Sequence, residues 1–563
     1  MFDAIVIGSG MSGGIAAKEL TERGLKTLVL ERGNEIVHRR DYTDGVQPWD
    51  APNAGRVNQE ELARDYAVQR ECYAVNELTK EFFVKDSDHP YTTPDGKPFS
   101  WIRGYHTGGR SIMWGRQSYR LSPMDFEANA RDGHGVDWPI RYEDLDPWYS
   151  HVENFIGVSG SKEGLDQLPD GDFLPPFELN DAEVMFKAAV EARFTGRKVI
   201  PSRVAHLRVA REQDRKLGRV QCQVRSICER GCSFGAYHSS LSTSLPAAHA
   251  TGNLTIVHDA IVDSIVHDPA TGRATGVRVI DRNTKVGTTY EAKVIFSCAS
   301  TIGTATILLN SVSEAFPNGL ANSSDQVGRN IMDHLYALRT FGILPNGPDS
   351  YYFGRRPGGI YVPRFRNLPG QEREEFVRGY GFQGGCQRTG GVSAALGETG
   401  IGEELKAKPR ELGPWQLALY GFGEVLPQER NRVTLNRNQN DQWGIPIPHI
   451  DCEFGPNEYK MIDSVMRDAR EMVEAAGGTV IHQSDRPGKF GLGIHEMGTA
   501  RMGRDPKTSV LNKWNQAHDV PNLFVTDGAA MTSSGCQNPS LTYMALSARA
   551  ADTAAGMLAE GVL

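Results

Sequence analysis

Residues 2–33 read FDAIVIGSGMSGGIAAKELTERGLKTLVLERG. "AIVIG" is a short apolar run that suits a strand covered on both faces. "MSGGIAAKELTERG" has helical character and stops at Gly24. "KTLVLE" is a second apolar strand, so the stretch is one βαβ unit. Gly8, Gly10 and Gly13 form G-x-G-x-x-G directly after the first strand, and Glu31 ends the second. Glycines there allow a tight turn and let backbone N–H groups approach a pyrophosphate at the helix N-terminus, while the acid accepts hydrogen bonds from ribose hydroxyls. The order strand, glycine turn, helix, strand, acid predicts a dinucleotide site, with Met11 and Ser12 in the turn and Arg32 beside the acid. An acid at 31 favours a ribose without a 2′-phosphate and does not separate NAD from FAD.

Working outward, the chain has 563 residues, 39% hydrophobic and 23% charged, which suits an ordinary globular protein. Its net charge of −8 argues against a general nucleic-acid binder. No run approaches the roughly 18 apolar residues of a membrane-spanning helix. "MFDAIVIGSG" has no basic flank or long apolar core, so no export signal is expected of this chain itself, and Arg39-Arg40 is expected to be surface charge. Eight cysteines are too sparse for a disulfide scaffold.

Further along, 253–281 is β-rich with "DPATGR" as a tight connection, and "AKVIFSCASTIGTATILLNS" (292–311) reads strand, turn, helix. From about 333 to 450 strands dominate, then "PNEYKMIDSVMRDAREMVEAAG" (456–477) is a long amphipathic helix. "NLFVTDGAAM" and a final Ala-rich helix close the chain. The βαβ patterns sit at both ends and near the middle, so two interleaved domains are expected. Residues 1–45, 100–120, 200–332 and 485–563 are assigned to the nucleotide domain, and 46–99, 121–199 and 333–484 to a substrate domain.

"GIHEMGTARMG" (493–503), Asp527-Gly528-Ala529 and Asn538-Pro539 closely resemble the C-terminal motifs of the glucose–methanol–choline (GMC) oxidoreductase family. "GGRSIMWGR" (108–116) resembles that family's flavin-contacting segment. The similarity runs from residue 2 to about 555. It implies an α/β fold in which a Rossmann-type FAD-binding domain is interleaved with a substrate domain of mostly antiparallel sheet plus helices. It implies FAD, not NAD, and a sugar or alcohol substrate. The flavin contacts it implies are Gly108, Gly109, Ser111, Trp114, Gly115, Val262, Ser300, Asp527, Gly528 and Asn538. Some relatives link the flavin covalently through a histidine where this chain has Met113, so FAD is expected to be dissociable.

Alcohol oxidation by a flavin needs a hydride acceptor and a base for the hydroxyl proton, and an imidazole suits the second task. The resemblance implies His495 as base, with Asn538 holding the substrate hydroxyl. Gln383, Glu424 and Gln428 are candidates for sugar recognition.

"CQVRSICERGC" (222–232) places three of the eight cysteines in one loop, spaced C-x5-C-x3-C. Disulfide, zinc with His238 as a fourth ligand, an iron–sulfur cluster and free thiols are all open by spacing. "CERGCSFGAYHSS" resembles the loop of dehydrogenase members of the superfamily, glucoside 3-dehydrogenases among them, which implies a [3Fe-4S] cluster on Cys222, Cys228 and Cys232. The expected reaction is oxidation of a secondary (C3) hydroxyl of glucose or a glucoside, with electrons passing from FAD through the cluster to a cytochrome, cytochrome c being the expected partner, or to another acceptor. Aldose C1 or gluconate oxidation, an oxygen-using pyranose or C-glycoside 3-oxidase, and a mere binding module are the rivals. The intact His495/Asn538 pair argues against the binding module. The resemblance further implies a small helper subunit carrying the export signal, hence a periplasmic location by co-export, with a cytoplasmic enzyme as the alternative.

Overall fold

The computed structural model describes residues 1–47, 49–345, 347, 349–350, 356–390 and 401–563. Strands β1 (Phe2–Ile7), β2 (Thr27–Leu30), β3 (Ile200–Pro201), β4 (Leu254–Val257), β5 (Ala260–Asp268), β6 (Arg273–Asp281) and β7 (Gly287–Ser297) precede β8 (His334–Leu344), β9 (Ile360–Val362), β10 (Tyr380–Arg388) and β11 (Trp415–Glu424). β12 (Arg432–Asn440), β13 (Pro446–Asp451), β14 (Thr479–Ser484) and β15 (Leu523–Val525) follow.

The first sheet runs β4-β2-β1-β7-β6-β5, with β15 also on β7. β4, β2, β1, β7 and β15 are parallel. Their unbroken apolar runs follow from burial on both faces, and Ala4, Ile5, Val6, Leu28 and Val29 are fully inaccessible. β7 serves two layers. Its last residues pair in parallel with β1, and its first residues pair antiparallel with β6. β1 continues to β2 on one side and meets β7 on the other, so a crevice opens at the carboxyl ends of β1 and β7, where such sheets bind ligands. Helices Met11–Glu22 and Ser540–Ala559 pack together over one face, their alanines keeping them close.

The second sheet, β14-β8-β11-β10-β9-β3, is antiparallel throughout. Helix Pro456–Ala475 covers one face, burying Met461, Val465, Ala469 and Met472 at helical spacing. Glycines let it settle: a Cβ at Gly421 or Gly342 would lie 2.5 Å from a methyl of Val465 or Val473. By the two-residue alternation of a strand, Tyr420 and Phe422 face the other way. They look into the crevice with Gln383, which pairs with Tyr420 across β10 and β11. An isolated bridge between Met332 and Met497 ties the two halves together beside this wall.

Candidate active site

The two sheets enclose a cavity of about 1030 Å³ that runs from the glycine turn to His495 and on to Cys228. Its nucleotide end is built by β1 and the helix after it. Gly8 has φ +95, a left-handed backbone that glycine adopts without strain. A Cβ at Gly13 would lie 1.9 Å from the Gly8 carbonyl oxygen, so glycine there lets helix and strand close up. Gly13 is thus a packing residue off the cavity wall. Gly108 is likewise off the wall; its φ is +83 and its N–H donates to Ser9 Oγ at 2.9 Å, joining the two glycine segments.

Gly8, Gly10, Met11, Ser12, Glu31, Arg32, Gly109, Ser111, Trp114, Gly115, Val262, Ser300, Asp527, Gly528 and Asn538 all line the cavity. No side chain caps helix Met11–Glu22 or helix Thr301–Asn310, leaving first-turn N–H groups for a ligand. Buried Arg32 Nε also has no partner. These residues fit a dinucleotide: Gly10, Met11 and Ser12 would hold its pyrophosphate and Glu31 its adenosine ribose. Burial pushes the Glu31 carboxyl up; its oxygens accept from the N–H groups of Ser9 and Gly33 at 3.1 and 3.0 Å. Oε2 also accepts from the Ser9 hydroxyl, so Oε1 is the oxygen that can take a further hydrogen bond. Met113 is buried against the cavity where a covalent flavin link would need a histidine.

At the other end a hydrogen-bond chain sets the chemistry. His334 Nε2 lies 2.9 Å from the Gly535 carbonyl oxygen, which can only accept, so Nε2 carries the proton. Burial holds His334 down to about 4, so it is neutral and its Nδ1 is an acceptor. His495 Nδ1, 2.7 Å away, is therefore the donor to it. His495 Nε2 is left with a lone pair facing the cavity, and Asn538 Nδ2 donates to it at 3.3 Å. Asn538 Oδ1 in turn accepts from Gln383 Nε2. One backbone carbonyl thus fixes the orientation of four side chains and presents His495 as a base. Burial, then His334 and Arg110, lower the His495 pKa well below the ordinary histidine value.

The backbone under the base is clamped. Ile494 has φ +59, a strained conformation for a β-branched residue. Asp333 Oδ2 accepts from the N–H groups of Gly491 and Gly493 at 2.9 and 3.0 Å, and Oδ1 from that of His495 at 3.1 Å. Burial and Glu496 push the Asp333 carboxyl up to about 7, against these N–H donors. Arg110 reaches Glu496 at 2.9 Å and Ser300 Oγ at 3.1 Å. Asp333, His334, Arg110 and Glu496 were missed in the sequence. An Asp-His pair at the start of β8 was the signal available for the first two.

Two sugar-binding expectations fail. Glu424 is buried off the cavity wall, its Oε1 accepting from Arg378 Nη1 at 2.9 Å and its Oε2 without a partner. Gln428 also lies off the wall and accepts from Arg430 Nε at 2.8 Å. Gln383 is on the wall, joined by Tyr336 and Tyr420.

Cys222, Cys228 and Cys232 line a separate pocket of about 20 Å³, and Cys228 and His206 are shared between it and the large cavity. All eight cysteines are free, so the loop holds no disulfide. Its backbone is tightly wound: Val224, Ser226 and Gly231 have φ of +54, +61 and +86. A Cβ at Gly231 would strike the Tyr42 ring at 2.3 Å. Burial pushes the Cys222 thiol up to about 11 and raises Cys228 too, so a ligand is needed to keep them as thiolates at neutral pH. His238, the expected fourth ligand of a zinc site, is not on this pocket and its Nδ1 is taken by Thr243. His206 stands there instead, Nε2 3.7 Å from Cys228 Sγ. Among the described residues no group of three or more His, Cys, Asp or Glu that could hold a metal ion is found. No helix among them is long and apolar enough to cross a membrane.

Residues 2–336 and 427–547 match the models of the two GMC oxidoreductase segments. The fructose dehydrogenase large subunit of Gluconobacter japonicus is 28% identical over 99% of this chain and 98% of its own. The 2-methyl-1,2-propanediol dehydrogenase of Mycolicibacterium austroafricanum is 30% identical over 98% of this chain and 94% of its own. The crystal structure of pyridoxine 4-oxidase from Mesorbium loti superposes with a TM-score of 0.60 over 98% of both chains at 17% identity, a likeness of fold. The chain belongs to the GMC oxidoreductase family of FAD-dependent enzymes that act on CH–OH groups of sugars and alcohols.

Proposed function

We propose that this enzyme oxidises a secondary hydroxyl, at C3, of glucose or a glucoside to the 3-keto sugar, and passes the electrons through a [3Fe-4S] cluster on Cys222, Cys228 and Cys232 to a cytochrome c. Bound FAD supplies the acceptor for the hydride that leaves the carbinol carbon. His495 Nε2 takes the hydroxyl proton, and Asn538 and Gln383 orient the sugar beside it. The observation that carries the oxidation is the chain Gly535–His334–His495, which forces the lone pair of His495 toward the cavity. The position of Cys228 on both cavities supports electron exit through the loop in place of direct reaction with oxygen. The cluster rests on the loop's likeness to dehydrogenase loops and on three thiols lining one pocket. The C3 position rests on the loop's likeness to glucoside 3-dehydrogenases. A small helper subunit and a periplasmic setting, within reach of a cytochrome, complete the proposal.

Glucose, methyl glucoside, gluconate and disaccharides are to be mixed anaerobically with enzyme while flavin bleaching is followed. Methyl glucoside has no free C1 hydroxyl, so bleaching with it and a 3-keto product by NMR support the proposal. Bleaching by glucose alone, with lactone formed, contradicts it.

A further inference from the structure

Arg116 is 5% exposed, and its Nε and Nη1 have no hydrogen-bond partner. Its nearest acid is Glu229, 4.0 Å from Nη2 at the pocket edge, and its guanidinium lies 4.7 Å over the Tyr237 ring. Its backbone is held at φ +61, a conformation unusual outside glycine. Arg219, equally buried near the same loop, is fully used: Nε donates to the Gly235 carbonyl at 2.9 Å, Nη1 reaches Asp214 at 3.3 Å and Nη2 the Ile156 carbonyl at 2.9 Å. A buried guanidinium left short of partners costs several kcal/mol unless an anion offsets it. Arg116, His206 and Cys228 lie together on the cavity wall. His206 is 1% exposed with Nδ1 unpartnered. With Cys228 as a ligand thiolate, a neutral imidazole there would donate its Nε2–H to the sulfur 3.7 Å away.

We propose that Arg116 and His206 are positioning residues that hold negative charge on the Cys228 sulfur and thereby raise the reduction potential of the iron–sulfur group Cys228 would ligate. This rests on the cluster reading above. The physical reason is that N–H donors and a cation beside a ligand sulfur favour the reduced, more negative state. The arrangement places the cation at Cys228, the cysteine shared with the flavin cavity, so that the accepting potential is set where electrons arrive.

The test is a redox titration of the cluster in the holoenzyme, read by electron paramagnetic resonance, with iron counted per chain. Arg116→Gln is expected to keep iron and flavin and to lower the midpoint by at least a tenfold change in the oxidised-to-reduced ratio, about 59 mV for one electron. Arg116→Lys, which keeps the charge, is expected to restore most of it, and His206→Phe to lower it less than Arg116→Gln. An iron-loaded wild type with Arg116→Gln at the same midpoint overturns the role of Arg116. Should Arg116→Gln fail to load iron, His206→Phe decides, and a wild-type midpoint in that variant overturns the proposal. An iron-free wild type fails differently: it removes the cluster reading, and the proposal with it.

Discussion

Replacing His334 by leucine isolates the device that makes His495 a base. In the native chain the His495 Nδ1–H is satisfied by His334 Nδ1 at 2.7 Å. Leucine fills similar space but accepts nothing. The tautomer with its lone pair on Nε2 must then bury an unpaired Nδ1–H, a penalty of about 1–3 kcal/mol. The other tautomer puts its proton on Nε2, where it faces Asn538 and cannot accept from substrate. At about 1.4 kcal/mol per tenfold, the competent form falls by about 5- to 150-fold. Anaerobic stopped-flow bleaching of the flavin should slow by that factor, with substrate affinity changing less. His334 is also one of the groups that depress the His495 pKa. Without it the pH at which reduction fails should move up, while burial, the larger cause, keeps it below the ordinary histidine range. Reduction at the native rate with the native pH profile would refute the tautomer argument.

Other outcomes follow from the same geometry. His495→Ala should retain FAD yet reduce it about 10²–10⁴-fold more slowly, the usual scale for losing a general base; bleaching at the normal rate sinks the assignment. Acid precipitation should release FAD into the supernatant because Met113 cannot form the link, and flavin held in the pellet would contradict this. His334 and His238 are buried and depressed to about 4 and about 3. Each therefore contributes stability that is present above the unfolded value near 6.5 and lost as pH falls, about 2 kcal/mol apiece by pH 5. The thermal midpoint of FAD-saturated enzyme should drop from pH 7 to pH 5, and a flat profile would count against it.

The glycine turn, the acid at 31 and the His495/Asn538 pair were legible because each is fixed by residues adjacent in sequence or by a compact motif. The support for His495 was not. His334 lies 161 residues away and is brought to it by the bridge between Met332 and Met497 and by the Asp333 hydrogen bonds. Polar residues of 420–436 offered no way to tell wall from core. Glu424 ends β11 beyond an irregularity in register at Gly421/Gly423, and Arg378, not the cavity, claims it. Arg116 looked like one more residue of a glycine-rich segment; only its unpaired nitrogens mark it out. The three cysteines were visible, but that one of them sits on the flavin cavity is a property of the folded loop.

The central claim is that oxidation and electron exit are separate steps joined at Cys228. The most direct measurement is the ratio of cytochrome-linked to dye-linked turnover in Cys228→Ser against wild type, with iron counted in both. The account predicts an iron-containing wild type, an iron-depleted variant whose flavin is still bleached by substrate, and a ratio that collapses because only a small dye reaches the flavin directly. An unchanged ratio, or a wild type without iron, would contradict it.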